Sequence, residues 1–145
     1  MTNLHNTTKL NFIPEYLNRN ECGIDQNSTV GIDLVEHHRF RKFLQRGSWD
    51  RMFSPQEISY ALAGPDPVPH LAAAFAAKEA AAKAIGISIF AKSLRYYELF
   101  HTNIGAPKLL ISPEVLINEF NYSLSVSITH SKHYSAAVVL YSPRV

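Results

Sequence analysis

Three charged side chains stand in an otherwise apolar helical stretch, and they are the residues of this chain best placed to do chemistry. Leu71 to Gly86 reads LAAAFAAKEAAAKAIG, with Lys78, Glu79 and Lys83 as its charges. At 100° per residue, Leu71, Phe75, Ala82 and Ile85 form one apolar stripe that contains Lys78. Ala73, Ala76, Ala77, Ala80 and Ala84 occupy the other side. A helix that is apolar nearly all round is expected to be packed on most sides, where a charge loses hydration unless it meets a partner, a metal or an anionic ligand. Asp33, in a candidate strand, is a second carboxylate. If strand and helix pack together, Asp33 and Glu79 could share a hard divalent cation with a phosphate and waters. Lys83, one turn beyond Glu79, could then meet the same phosphate as a point charge. Spacing alone does not require this. Glu79 and Lys83 are also a favourable i, i+4 pair, which adds about 0.3–0.5 kcal/mol on a solvated face, and Asp33 reads equally as a strand-end carboxylate in water.

His130 ends a strand whose Leu124, Val126 and Ile128 are expected to face the core, so its ring should lie at the core's edge. A histidine there can act as a general base or simply cap the strand end with ordinary hydrogen bonds. His130 and His133 are three residues apart in a turn without a nearby cysteine, which argues against zinc. Arg39, Lys42 and Arg46 fall on one ridge of a helix, a patch that suits an acidic partner or a solvated face. It is too short, and too poorly flanked by aromatic residues, for a nucleic-acid surface.

The elements that must position these residues follow from local patterning. Thr29 to Glu36 alternates as a strand, with Val30, Ile32 and Leu34 expected toward the core and Gly31, Asp33 and Val35 facing the other way. Gly31 would leave open space beside Asp33. A helix is expected from about His38 to Arg46. Ser54-Pro55-Gln56-Glu57 reads as a capping box with proline at the first helical position. Asp66-Pro67-Val68-Pro69 is a rigid break before the alanine-rich helix. Leu94–Thr102 and Lys108–Ile111 read as strands joined by a turn at residues 103–107. Ser112-Pro113-Glu114 starts a short helix ending near Asn121, and Leu124–His130 with Tyr134–Tyr141 forms a closing hairpin. Strands gathered after helices predict an α+β fold with an antiparallel sheet packed on the long helix. Residues 1–28, rich in asparagine, read as an arm preceding one domain at 29–145.

Bulk properties narrow the class. The chain has 145 residues, 46% hydrophobic and 18% charged, with net charge +2, which describes a single globular domain. Its one cysteine, Cys22, rules out an internal disulfide and fits a reducing compartment. There is no apolar run of about 20 residues to cross a bilayer, and no basic-then-apolar start of the secretory kind, so the cytoplasm is the expected location.

Several of these segments together resemble a known family. Val30-Gly31-Ile32-Asp33-Leu34-Val35-Glu36, Phe53-Ser54-Pro55-Gln56-Glu57-Ile58 and the segment from Phe75 to Gly86 are similar to the 4′-phosphopantetheinyl transferases of the acyl carrier protein synthase type. So are Asn103-Ile104-Gly105-Ala106-Pro107 and the run from Val126 to Tyr134 with the strand Ala136–Val139 after it. The resemblance implies transfer of phosphopantetheine from coenzyme A to a serine of an apo acyl or peptidyl carrier protein. It implies Mg²⁺ held by Asp33 and Glu79, with Lys83 neutralising the pyrophosphate or protonating the leaving group. His130 would sit beside coenzyme A and help deprotonate the serine, and Gly86 and Ser131 would lie near the nucleotide. Arg39, Lys42 and Arg46 would receive the carrier, and the assembly would be a homotrimer with sites at subunit interfaces, without membrane or nucleic acid. Two positions depart from the family pattern. Ala74 stands where members often carry arginine, and Gly86-Ile87-Ser88 where they usually read Gly-Thr-Gly. The departures leave a second reading, a carrier-binding subunit that has lost catalysis.

Overall fold

A computed structural model describes residues 27–47, 49–87, 94–115 and 121–143. Residues 1–26 of the expected 1–28 arm and residues 116–120 of the expected short helix lie outside the described residues. The elements run β1 (Thr29–Glu36), α1 (His37–Leu44), α2 (Pro55–Leu62), α3 (Val68–Ile85), β2 (Tyr97–His101), β3 (Pro107–Ile111), β4 (Tyr122–His130) and β5 (Tyr134–Pro143). All strand pairs are antiparallel: a three-stranded sheet ordered β1-β5-β4 and a two-stranded sheet β2-β3. The expected α+β class is the observed one.

α3 is the hub, packed against β1, β5, β4, β2, α1 and α2. That crowding explains its composition, because alanine keeps helix propensity while letting neighbours approach on every side. Ala72, Ala76, Ala77, Ala80 and Ala81 are wholly buried. The helix begins at Val68, whose N–H donates to Asp66 Oδ1 at 3.0 Å. It ends at Gly86, whose left-handed φ of 78° closes the last turn. The expected capping box is present at α2: Ser54 Oγ accepts from Glu57 N and Glu57 Oε2 accepts from Ser54 N.

The phase of β1 is the reverse of the alternation expected. Val30, Ile32 and Leu34 are 67%, 68% and 64% exposed, while Gly31, Asp33 and Val35 face α3. Gly31 borders no open space. A Cβ placed there would lie 1.9 Å from Ala80 O and 2.8 Å from Ala84 N, so the glycine lets the helix backbone rest directly on the strand. The partner register agrees, with Gly31, Asp33 and Val35 opposite Val139, Ala137 and Ser135, which are all buried. On β4 the expected phase holds, and Leu124, Val126 and Ile128 pack against the core.

Candidate active site

The close contact at Gly31 brings the β1 carboxylate to the charged end of α3. Lys83 Nζ donates to Asp33 Oδ1 at 2.8 Å and to Ile32 O at 3.0 Å. Lys83 is the exposed residue of α3, and Glu79, one turn earlier, is half-buried. Burial first, then the charge of Asp33, pushes the Glu79 carboxyl above its ordinary value, while Lys83 opposes the shift. Among the described residues Glu79 receives no hydrogen bond. Burial first, then the charge of Glu79, pushes the Tyr97 phenol upward, and among the described residues its buried hydroxyl has no hydrogen-bond partner. Two carboxylates facing one ammonium leave a negative charge uncompensated.

Those donors fit a hard cation. Among the described residues no three His, Cys, Asp or Glu side chains cluster to cage a metal by themselves. Mg²⁺ does not need such a cage, because it is usually bound by one or two carboxylates with waters and substrate phosphates.

Lys78, expected to be a chemical group like its neighbours, is instead fully buried structure. Its Nζ donates to Glu57 Oε2 and to Met52 O, both at 2.6 Å, and lies 5.2 Å from the centre of the Phe53 ring. Glu57 completes its own shell by accepting from Ser54 N at 2.8 Å and Leu99 N at 2.9 Å. Sequence reasoning assigned Glu57 to a helix cap alone. The missing signal was available in part, since a lysine on an apolar helix needs a partner, but that partner lies 21 residues away on another element.

The remaining candidates fall into separate places. Arg39, Lys42 and Arg46 line one concavity with Phe43. Arg39 also borders a cleft of about 550 Å³ that includes Asp33, Phe40, Phe75 and Tyr134. Phe40 and Phe43 pack on Phe75 with ring centres 5.3 and 6.3 Å apart, so the basic ridge meets an aromatic floor beside Asp33. Ser131 sits in the β4–β5 turn, where its Oγ accepts from His133 N and Tyr134 N. His130 lies in a different cleft of about 250 Å³ with His70, His101, Tyr60 and Ala74. Within one chain His130 is therefore not gathered with Asp33, Glu79 and Lys83.

A profile of the 4′-phosphopantetheinyl transferase superfamily matches residues 29–139. The chain belongs to that superfamily. A holo-[acyl-carrier-protein] synthase of Leptospira biflexa is 39% identical over 120 residues, covering 78% of this chain and 94% of the relative. Another, from Thermodesulfovibrio yellowstonii, is 36% identical over 118 residues, covering 77% and 95%. Among solved structures, the Chronobacterium ammoniagenes acyl carrier protein synthase–coenzyme A complex superposes with a TM-score of 0.73 at 28% identity, covering 81% of this chain and 98% of that one. The Helicobacter pylori synthase in complex with coenzyme A gives 0.69 at 33% identity, covering 78% and 99%.

Proposed function

We infer that this chain transfers 4′-phosphopantetheine from coenzyme A to a serine hydroxyl of an apo acyl or peptidyl carrier protein, releasing adenosine 3′,5′-bisphosphate. Membership of the superfamily and the named activity of its relatives support the reaction. The observation that carries the site is the Lys83–Asp33 contact with Glu79 beside it. Asp33 and Glu79 are the residues that would hold Mg²⁺, which supplies charge neutralisation at the pyrophosphate and alignment of its oxygens. The serine oxygen forms the new bond to phosphorus as the bond to the leaving bisphosphate breaks, and the serine proton departs.

The chain's own groups divide that work. Lys83 uses two of its three ammonium protons on Asp33 and Ile32, which leaves one for a pyrophosphate oxygen or the leaving group. His130 is the general base for the serine, and Gly86 and Ser131 border the nucleotide. Arg39, Lys42 and Arg46 steer the acidic carrier onto the Phe43 floor. Since His130 and the acidic pair occupy different clefts, a second copy completes each site in a homotrimer. The exposed Val30, Ile32, Leu34 and Val138 are opposite or adjacent across β1 and β5, an apolar face suited to a neighbouring subunit.

Intact-mass spectrometry of apo carriers incubated with the protein, coenzyme A and Mg²⁺ tests the reading. A phosphopantetheine adduct is expected, absent with Glu79→Ala and absent after chelation of Mg²⁺. Ala74, with its methyl where the family often carries arginine, favours one competing reading. Carrier binding without any adduct would establish that competitor, a carrier-binding subunit without catalysis.

A further inference from the structure

The β4–β5 turn, which carries Ser131 and follows directly on His130, is tied to α1 and α3 through the ring of His37. His37 opens α1 and is buried. Its backbone N–H, one of those a helix start leaves without an internal partner, donates to His133 O at 2.8 Å. Its Nδ1 lies 3.3 Å from Lys132 O and its Nε2 lies 2.8 Å from Ser135 Oγ. Ser135 is wholly buried, and its hydroxyl donates to Pro69 O in the first turn of α3 at 3.0 Å. Inside the turn, Ser131 N donates to Tyr134 O at 2.8 Å. The β1–β5 ladder ends at the pair Glu36 and Tyr134, and beyond it His37 holds the tip by two successive carbonyls.

Chemistry fixes the protons on these contacts. Lys132 O and Pro69 O are carbonyls and only accept. Ser135 has one hydroxyl proton, which goes to Pro69 O, so its oxygen meets Nε2 as an acceptor. Both ring nitrogens then have to donate, and only the imidazolium carries a proton on each. A neutral ring gives one of these contacts up. With its proton on Nε2 it keeps the 2.8 Å bond to Ser135 and releases Lys132 O, the longer contact and the cheaper to lose. The charged and titratable groups around the ring are Asp66 before α3, Arg41 of α1, Glu36 of β1, Lys132 and His133 of the turn and Tyr134 of β5. Arg41 first, and His37 with a smaller share, hold the Asp66 carboxyl below its ordinary value, and Arg41 is paired with it at 2.7 Å.

We propose that His37 is a positioning residue for the transfer: as an imidazolium it holds the His130–Ser131 turn against α1 and α3, and on losing a proton to water it lets the Lys132 carbonyl go. This role rests on the transferase reading, in which His130 takes the serine proton and Ser131 borders the nucleotide. The carrier docks on α1 in that reading, so one buried ring joins the docking helix to the turn that follows the base. His37 itself touches neither substrate. An imidazole titrates near neutrality, and the tie is therefore strongest on the acid side of neutrality and weaker on the alkaline side.

A ring measurement and kinetics test it together. Full-length protein with ¹⁵N-labelled histidine is followed by NMR from about pH 6 to about pH 8. The His37 ring is expected to pass from protons on both nitrogens to a proton on Nε2 alone; any other course overturns the proposal. In transfer assays, His37→Leu/Ser135→Ala, an apolar pair for a buried place, is expected to lower kcat about tenfold at about pH 6. At about pH 8, where the wild type has itself released the turn, the deficit should shrink to less than about twofold. Taking the ratio to wild type at each pH cancels the titration of His130, which both proteins share. His37→Gln, which keeps an amide donor for one of the two contacts, should fall between them and serves if the double variant does not fold. A deficit equal at both pH values marks a merely structural pair and overturns the proposal, as does no deficit at all. A wild type that modifies no carrier at either pH refutes the transferase reading and this role with it, whereas an active wild type with a pH-independent deficit refutes this role alone.

Discussion

Lys78 and Lys83 lie on the same helix five residues apart, and each is paired with one carboxylate. The Lys78–Glu57 pair is 2.6 Å long with side chains 0% and 2% exposed, whereas the Lys83–Asp33 pair is 2.8 Å long with 52% and 17%. In the first, every polar atom is answered: Glu57 by two backbone N–H groups as well as the lysine, Lys78 by Met52 O as well as the glutamate. In the second, Lys83 is half-exposed to water next to a glutamate that has no hydrogen-bond partner among the described residues. The first pair is a clamp holding α3, α2 and β2 together. The second is a contact that a substrate can reorganise. Burial, rather than charge or spacing, separates a structural lysine from a chemical one.

Breaking the clamp is the harshest test of that contrast. Lys78→Met strands Glu57 as an unpaired buried charge, and a loss of about 3–5 kcal/mol is expected in denaturant unfolding. Lys78→Met/Glu57→Gln removes the stranded charge and keeps an amide oxygen for the backbone N–H groups of Ser54 and Leu99, so part of that loss returns if the pair is structural; recovery of activity alongside stability would mark Lys78 as dispensable to the chemistry. Lys83→Met inverts the pattern. It should change stability by less than about 1 kcal/mol yet lower kcat about a hundredfold, roughly 2.7 kcal/mol of barrier. A large fall in melting temperature for Lys83→Met would erase the distinction.

Glu79 sharpens the comparison through pH. Folding raises its pKa above 4.5, so the folded protein holds the Glu79 proton more tightly than the unfolded chain does. Metal-free stability should therefore decline as pH rises from 4.5 through the folded-state value, and thermal melts of Glu79→Gln should lack that slope. Added Mg²⁺ should abolish the slope in the wild type. The smallest effect is expected at the carrier surface. Arg39→Glu/Arg46→Glu should raise the carrier KM about tenfold at low salt and leave kcat within about a factor of two, with the gap narrowing at high ionic strength.

Much of this architecture was legible before any coordinates. The Ser54–Glu57 box, the glycine stop of α3 and the closing hairpin are local signals, and each lies within a residue or two of its expected position. Val68-Pro69, read as part of a break before α3, instead form its first turn, where a proline needs no N–H partner. β1 was misread because a period of two does not say which face is buried. Val30, Ile32 and Leu34 are the apolar set, yet α3 takes the side bearing Gly31, since only a residue without a side chain admits a helix backbone at that distance. Of the site, Asp33, Glu79 and Lys83 could be named from the helix and strand patterns. Tyr60, His70 and His101 could not, because they converge from α2, α3 and β2 only after the β2–β3 sheet folds back onto the helices.

Gly31 carries one more consequence. Where strand and helix touch main chain to main chain, their separation does not depend on the size of any side chain between them. The span from Asp33 to Glu79 is accordingly a main-chain dimension, insulated from the drift of the alanine core around it. Substitutions that swell or shrink that core will cost stability long before they detune the acidic pair, whereas a single methyl at position 31 would shift the gauge itself.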